Sequence, residues 1–342
     1  MYPRQRQPTK PQRTHNRLGG LVAAIAILLL AVAIFYNRQF ITDLLVVQRF
    51  QPSAHLEEVL TRTHLSDKGK FYVYASQTEI VDRTGFNNAC GSLQNEKTVV
   101  LGCYTTKDQR IYVYDVTDQR LAGVREATTA HEMLHAAYDR LTAGEKERVA
   151  RMVDAQARKI TDPRLLELID FYKASEPDSM TTELHSIFAT EVLNLDPELD
   201  AYYSQYFSDR SALVRQQQAY EKVFSDLRGR QQQLVTEMNT LSTDISAKET
   251  VYMSHLSALN SDIASFNSWA QSGQATRSEF NVRRATLESR IASLETERNT
   301  VNSQIDAYNS KRAELEQLNM LAEDLNRSID SKLPQLPSTP SI

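Results

Sequence analysis

His131, Glu132 and His135 stand in the run "REATTAHEMLHAAYDRL" (125–141), and their His-Glu-x-x-His spacing is the pattern in this chain best suited to chemistry. On a helix, residues i and i+4 share a face one turn apart. Both imidazoles can then point at one ion while Glu132, beside the first, reaches a water on that ion. Zinc suits such a set. It lowers the pKa of its bound water towards about 7, and the glutamate takes the proton as hydroxide attacks a peptide carbonyl.

Five residues alone are weak grounds, since a chain of this length matches the pattern by chance on the order of one time in a hundred. The surroundings strengthen the reading. "REATTA" and "AAY" are helix-compatible flanks with no Pro or Gly between them. Met133, Leu134, Ala136 and Ala137 predict burial of this helix, and two histidines and a glutamate inside a core need a partner. The chain has only seven histidines.

A catalytic zinc also needs a third protein ligand and an open position. Downstream, "MTTELHSIFATEV" supplies Glu183, His185 and Glu191 on one predicted helix. Glu183 and His185 are about 200° apart around the axis, and Glu183 and Glu191 are about 12 Å apart along it, so neither pair can serve together. All three remain open as the third ligand on spacing alone.

These residues resemble the zincin metallopeptidases, and within them the gluzincins, whose third zinc ligand is a glutamate on a later helix. The resemblance rests on His131, Glu132 and His135, and more loosely on Glu183, and it covers about 170 residues. It implies zinc on His131, His135 and Glu183, with Glu132 as general base. One departure is Ile187, where many gluzincins carry an acid one turn after the ligand glutamate; Glu191 and His185 therefore stay as alternatives. The resemblance also implies an edge strand over the site to pair with extended substrate. An oxyanion partner is a further expectation, and Tyr138, Tyr202, Tyr203 and Tyr206 are the candidates, although aromatic packing is the commoner role for each.

The elements that must position these residues read as follows. An amphipathic helix near 52–65 precedes strand-like "KFYVYAS" (70–76), "KTVVLGCY" (97–104) and "RIYVYDV" (110–116), the last two forming a hairpin around "TTKDQ". Helices follow: the His-Glu segment, "TAGEKERVARMVDAQARKI" with Thr142 and Glu145 as a capping box, one after Asp162-Pro163, one over 181–193, and one opened by Asp196-Pro197. Strands first and helices after predict an α+β, zincin-like domain over 40–210, with helices on a small sheet. Cys90 and Cys103, the only cysteines, are expected to form a disulfide that stabilises by about 3 kcal/mol.

From 198 to 333 there is no proline, and apolar residues recur at seven-residue spacing. One seam runs through Leu227, Leu234, Leu241, Tyr252, Leu259 and Phe266; the other holds Leu287, Leu294, Val301, Tyr308 and Leu315, with Ile291 and Ile305 beside it. Gly273 lies between them, which predicts a long antiparallel coiled-coil hairpin over 211–330. Lys248, His255, Arg298 and Arg312 interrupt the seams. Frayed pairing is the plain account of them; register control or a partner surface is the sharper one.

Residues 18–36, "LGGLVAAIAILLLAVAIFY", form a chargeless run about as long as the ~20 residues that cross a bilayer as helix. Arg4, Arg6, Lys10, Arg13 and Arg17 precede it with no acid. By the positive-inside rule this predicts a single-pass anchor, a cytoplasmic N-terminus and an extracytoplasmic body. The small-x-small "AVA" at 31–33 offers a signal-peptide alternative, disfavoured because the apolar run continues through Tyr36. The basic tail 1–17 and the Pro- and Ser-rich tail 331–342 read as disordered. The net charge is −4, and subtracting the +5 of the tail leaves a body at −9, which argues against nucleic acid as partner.

Two functions follow. One is a membrane-anchored zinc endopeptidase acting on protein or peptide at the outer face of the membrane. The other is a non-catalytic, membrane-tethered coiled-coil scaffold, its hairpin pairing with itself or a partner.

Overall fold

A computed structural model describes residues 17–91 and 100–332. The expected tails, apart from their innermost residues, and the start of the strand expected at 97 lie outside the described residues. The described residues pack as two compact units, one drawn from 17–91, 102–114 and 126–214, the other from 100–101, 115–125 and 215–332. Two short earlier segments, 100–101 and 115–125, thus group with the residues from 215 on.

The first unit opens with α1 (Arg17–Tyr36) and α2 (Arg38–Arg49). Among the described residues no single helix is long and apolar enough to cross a membrane; Leu21–Tyr36 and Arg38–Arg49 reach the required length and composition only together, bent by 67°. There follow α3 (Ala54–Arg62), α4 (Asp67–Ala75), β1 (Glu79–Val81), α5 (Arg83–Cys90), β2 (Gly102–Thr105) and β3 (Arg110–Tyr114). The expected hairpin is present, since β2 pairs antiparallel with β3 from Gly102↔Val113 to Thr105↔Arg110. β1, which the sequence reading did not anticipate, runs parallel along the other side of β3, giving the order β1-β3-β2.

The strand expected at 70–76 is instead helix α4, and the cause is tertiary. The Ser66 hydroxyl accepts from Gly69 N at the helix start. Ser66 N and Oγ bond in turn to the carbonyls of Tyr206 and Gln205, 139 and more residues away. A Cβ at Gly69 would stand 2.4 Å from the Tyr206 carbonyl, so the turn can seat there only without a side chain. Aromatic and β-branched content favours a strand by at most about 1 kcal/mol, less than this cap and its anchoring contribute together.

Four further helices complete the unit: α6 (Val124–Asp139), α7 (Ala143–Ala157), α8 (Pro163–Ser175) and α9 (Met180–Glu191), followed by the short α10 (Pro197–Tyr203). α7 begins with the Thr142–Glu145 capping box, and Asp162 caps α8 through Leu165 N. Met133, Leu134, Ala136 and Ala137 of α6 are fully buried, as their apolar character requires, among Val149, Val153, Leu184, Phe188 and Tyr203. β3 adds Ile111 and Val113 to the same core.

The second unit is dominated by α11 (Arg210–Gln271), most of which lies in it, and α12 (Arg277–Ile329), two helices of 62 and 53 residues joined around Gly273 at φ +78°. At 1.5 Å per residue these arms are roughly 80–90 Å long. Cross-arm contacts are antiparallel: Arg230 with Glu314, Glu237 with Lys311, His255 with Glu297, and Phe266 with Phe280. Leu227, Leu234, Leu259 and Val301 are buried, whereas Ile291 is exposed, because two helices cover only one stripe of each other. Of the seam-breaking residues, His255 makes an inter-arm pair; Lys248, Arg298 and Arg312 pair along their own helices.

Candidate metal centre

α6 and α9 bring together the residues that the motif singled out. His131 Nε2 and His135 Nε2 lie 3.1 Å apart, one turn along α6. From α9, Glu183 Oε2 stands 3.6 Å from His131 Nε2, and Oε1 stands 3.5 Å from His135 Nε2. These ligand atoms form the only such cluster of His, Cys, Asp and Glu among the described residues. The spacing can be tested against zinc. Tetrahedral ligands bound at about 2.0–2.1 Å stand about 3.3–3.4 Å from one another, and the three separations here bracket that value. All three side chains are only partly buried, so a metal held there keeps a face open for water or substrate.

The electrostatics express the same crowding. Burial opposes a charge on His131, but the carboxylate of Glu183 beside it and the charges of Glu132 and Glu191 raise its pKa to about 9. Burial and the His131 charge lower His135 to about 4, although Glu183 pulls the other way. Burial would raise Glu183, yet the two histidines and the Tyr172 hydroxyl lower it to about 2. The carboxylate is thus ionised and flanked by two imidazoles, which is the charge state a divalent cation requires of it.

The two alternative third ligands point elsewhere. Glu191 is ion-paired with Arg164 at 2.5 Å. His185 is fully buried, with Nε2 3.1 Å from the Tyr202 hydroxyl and Nδ1 without a hydrogen-bond partner among the described residues. Burial, aided by the charges of His135 and His131, lowers its pKa to about 3. Ile187, where an acid was expected by resemblance, is buried in the core. Glu183 instead accepts a hydrogen bond at 3.3 Å from Tyr172 of α8, a residue that spacing did not flag.

The four tyrosines considered for an oxyanion role gather around His185. Tyr203 donates to the His185 carbonyl at 2.6 Å; Tyr202 joins His185 to Tyr206; and the Tyr138 ring packs 5.4 Å from the imidazole. Their described contacts are aromatic packing and hydrogen bonding with His185 and with one another.

Glu132 is almost completely buried, and β2 lies directly on it. A Cβ at Gly102 would come within 2.6 Å of Glu132 Cγ and of Thr128 Cγ2, and 2.7 Å of Glu132 Oε1. Glycine is required here for space. The next residue, Cys103, forms the expected disulfide with Cys90 at the end of α5 and so ties this strand to that helix.

At the far end of α6, Arg140 binds Asp43 of α2 in a two-pronged ion pair, Nε to Oδ2 at 2.9 Å and Nη2 to Oδ1 at 3.0 Å, with both side chains buried. This link was invisible in the sequence, because the two residues are 97 apart. No protein-family model, curated protein or solved structure matches the chain.

Proposed function

We propose that this protein is a membrane-anchored zinc-dependent endopeptidase that hydrolyses peptide bonds at the outer face of the membrane. The observation carrying this reading is the convergence of His131, His135 and Glu183, with Glu132 next to His131 in the chain. Zinc on these three residues would supply a Lewis acid that polarises a peptide carbonyl and acidifies water.

The chain's own residues then have distinct tasks. Glu132, adjacent in sequence to the first ligand and almost buried, accepts a proton from the attacking water and can return it to the leaving amine. Tyr172 orients the Glu183 carboxylate. β2 has β3 on one side only among the described strands, so its other edge is the natural place for an extended peptide to pair. The anchor reading is supported by the chargeless run 18–36 and by the exposure of its apolar side chains, Leu21, Ile25, Leu28 and Phe35 among them.

A second reading, a non-catalytic tethered scaffold, is favoured by the 62- and 53-residue arms, which carry no comparable chemistry. Metal analysis separates the two. Stoichiometric zinc with peptide cleavage, the cleavage abolished and the zinc retained in Glu132→Gln, is the outcome expected of the enzyme. Substoichiometric zinc that added metal does not restore sinks it, and cleavage persisting in Glu132→Gln sinks the role of Glu132.

A further inference from the structure

α2 has two differently committed faces. Asp43 points to Arg140, and Gln39 bonds both Asp43 and Gln109, at 3.1 and 2.9 Å, so this face is pinned to the body of the unit. Phe40, Ile41, Leu44 and Leu45, at i, i+1, i+4 and i+5, share another face, and each is 38–57% exposed. Single exposed apolar residues are ordinary on a protein surface, but four on one face of a helix that cannot rotate call for a cover.

The charges beside this face identify the cover. Asp43 is the only acid in "RQFITDLLVVQR", and Arg140 neutralises it. The exposed ionic groups of the helix are therefore Arg38 and Arg49, one near each end. An apolar stripe with arginines at its margins fits the boundary between acyl chains and anionic headgroups. α2 follows α1 after a break at Asn37, at an angle of 67°; if the chargeless run 18–36 is inserted, as the anchor reading has it, an angle of that size lays α2 along the surface.

We infer that α2 lies in the membrane interface with Phe40, Ile41, Leu44 and Leu45 in the lipid, and that through Asp43 and Arg140 it holds α6, and hence the metal centre, at a set height and orientation over the bilayer. This rests on the membrane-anchor reading. It adds that the body is docked on the surface and does not swing on a tether, so substrates would be polypeptide segments close to the membrane.

The test uses the full chain in vesicles of phosphatidylcholine with a minor share of phosphatidylglycerol, the Cys90–Cys103 bond left intact. Nitroxide labels are placed one at a time through Ile41→Cys, Leu44→Cys, Leu45→Cys, Thr42→Cys and Leu28→Cys, and collision rates are measured with oxygen and with a water-soluble nickel chelate. Expected are labels at 28, 41, 44 and 45 that favour oxygen severalfold, and a label at 42 that favours the chelate. Lipid contact at 28 with aqueous labels at 41, 44 and 45 overturns the interfacial helix and leaves the anchor standing. An aqueous label at 28 overturns the anchor, and the docking with it. Strong spin–spin broadening at 44 and 45 that disappears on dilution with unlabelled protein assigns the face to a second copy and likewise overturns the inference.

Discussion

The hydroxyl of Tyr172 donates to Glu183 Oε2 at 3.3 Å, so the carboxylate that completes the histidine pair is held by a residue from a different helix. Partners of this kind typically govern metal affinity by 10–100-fold. Tyr172→Phe should therefore weaken zinc binding by about tenfold or more, with little change in the unfolding midpoint of the metal-free chain. Competition against a fluorescent chelator measures it, and an unchanged affinity would mean that Glu183 is oriented by something else.

Gly102 meets Glu132 so closely that one added methyl group must displace either the strand or the carboxylate. Gly102→Ala should cost about 1–3 kcal/mol of stability, the usual range for overpacking. If the proposed function holds, peptidase activity should fall further than stability accounts for, because Glu132 moves relative to the histidines. Urea denaturation together with activity at a temperature where the variant is fully folded separates the two effects.

Asp43 and Arg140 are a buried pair, and removing one partner strands the other's charge. Asp43→Ala should destabilise by about 3–5 kcal/mol, whereas Asp43→Leu combined with Arg140→Met should recover most of that loss. A double-mutant cycle by chemical denaturation checks this; equal losses in the single and double variants would show that the pair contributes by shape alone.

Three histidines set opposite pH trends in the metal-free chain. His185 and His135 are lowered from 6.5 to about 3 and about 4, so the unfolded chain takes up protons that the folded chain refuses. Their contribution is complete above about pH 6.5 and is lost as pH falls towards 4 and then 3. His131 is raised to about 9, so its contribution is complete below about 6.5 and is lost as pH rises through 9. From these groups, stability should peak near pH 6.5, and His185→Gln should flatten the acid side. Denaturation in chelator across that range gives the profile, and an unaltered acid limb in the variant rules out His185 as a contributor.

How much of this was legible in advance differs by residue. The α6 helix, its burial and the two-histidine face follow from i, i+4 spacing and from the apolar residues between them. The Thr142 cap, the hairpin around 105–110 and the turn at Gly273 are likewise signals carried within a few residues. The aromatic and β-branched content of helix α4 favours a strand only weakly, and Ser66 seating on the 205–206 carbonyls overrides it. β1, only three residues long, is too short to show a period and exists because β3 offers it an edge.

By itself, then, the sequence determined which residues could share a helix face, where helices start, and that two long arms must pair, since these depend on geometry repeated every few residues. Only the tertiary structure decided that Glu183, and neither Glu191 nor His185, joins the histidines. That choice depends on how α9 lies against α6, and so on which carboxylate is left facing the pair once Arg164 has taken Glu191 and the tyrosines have enclosed His185.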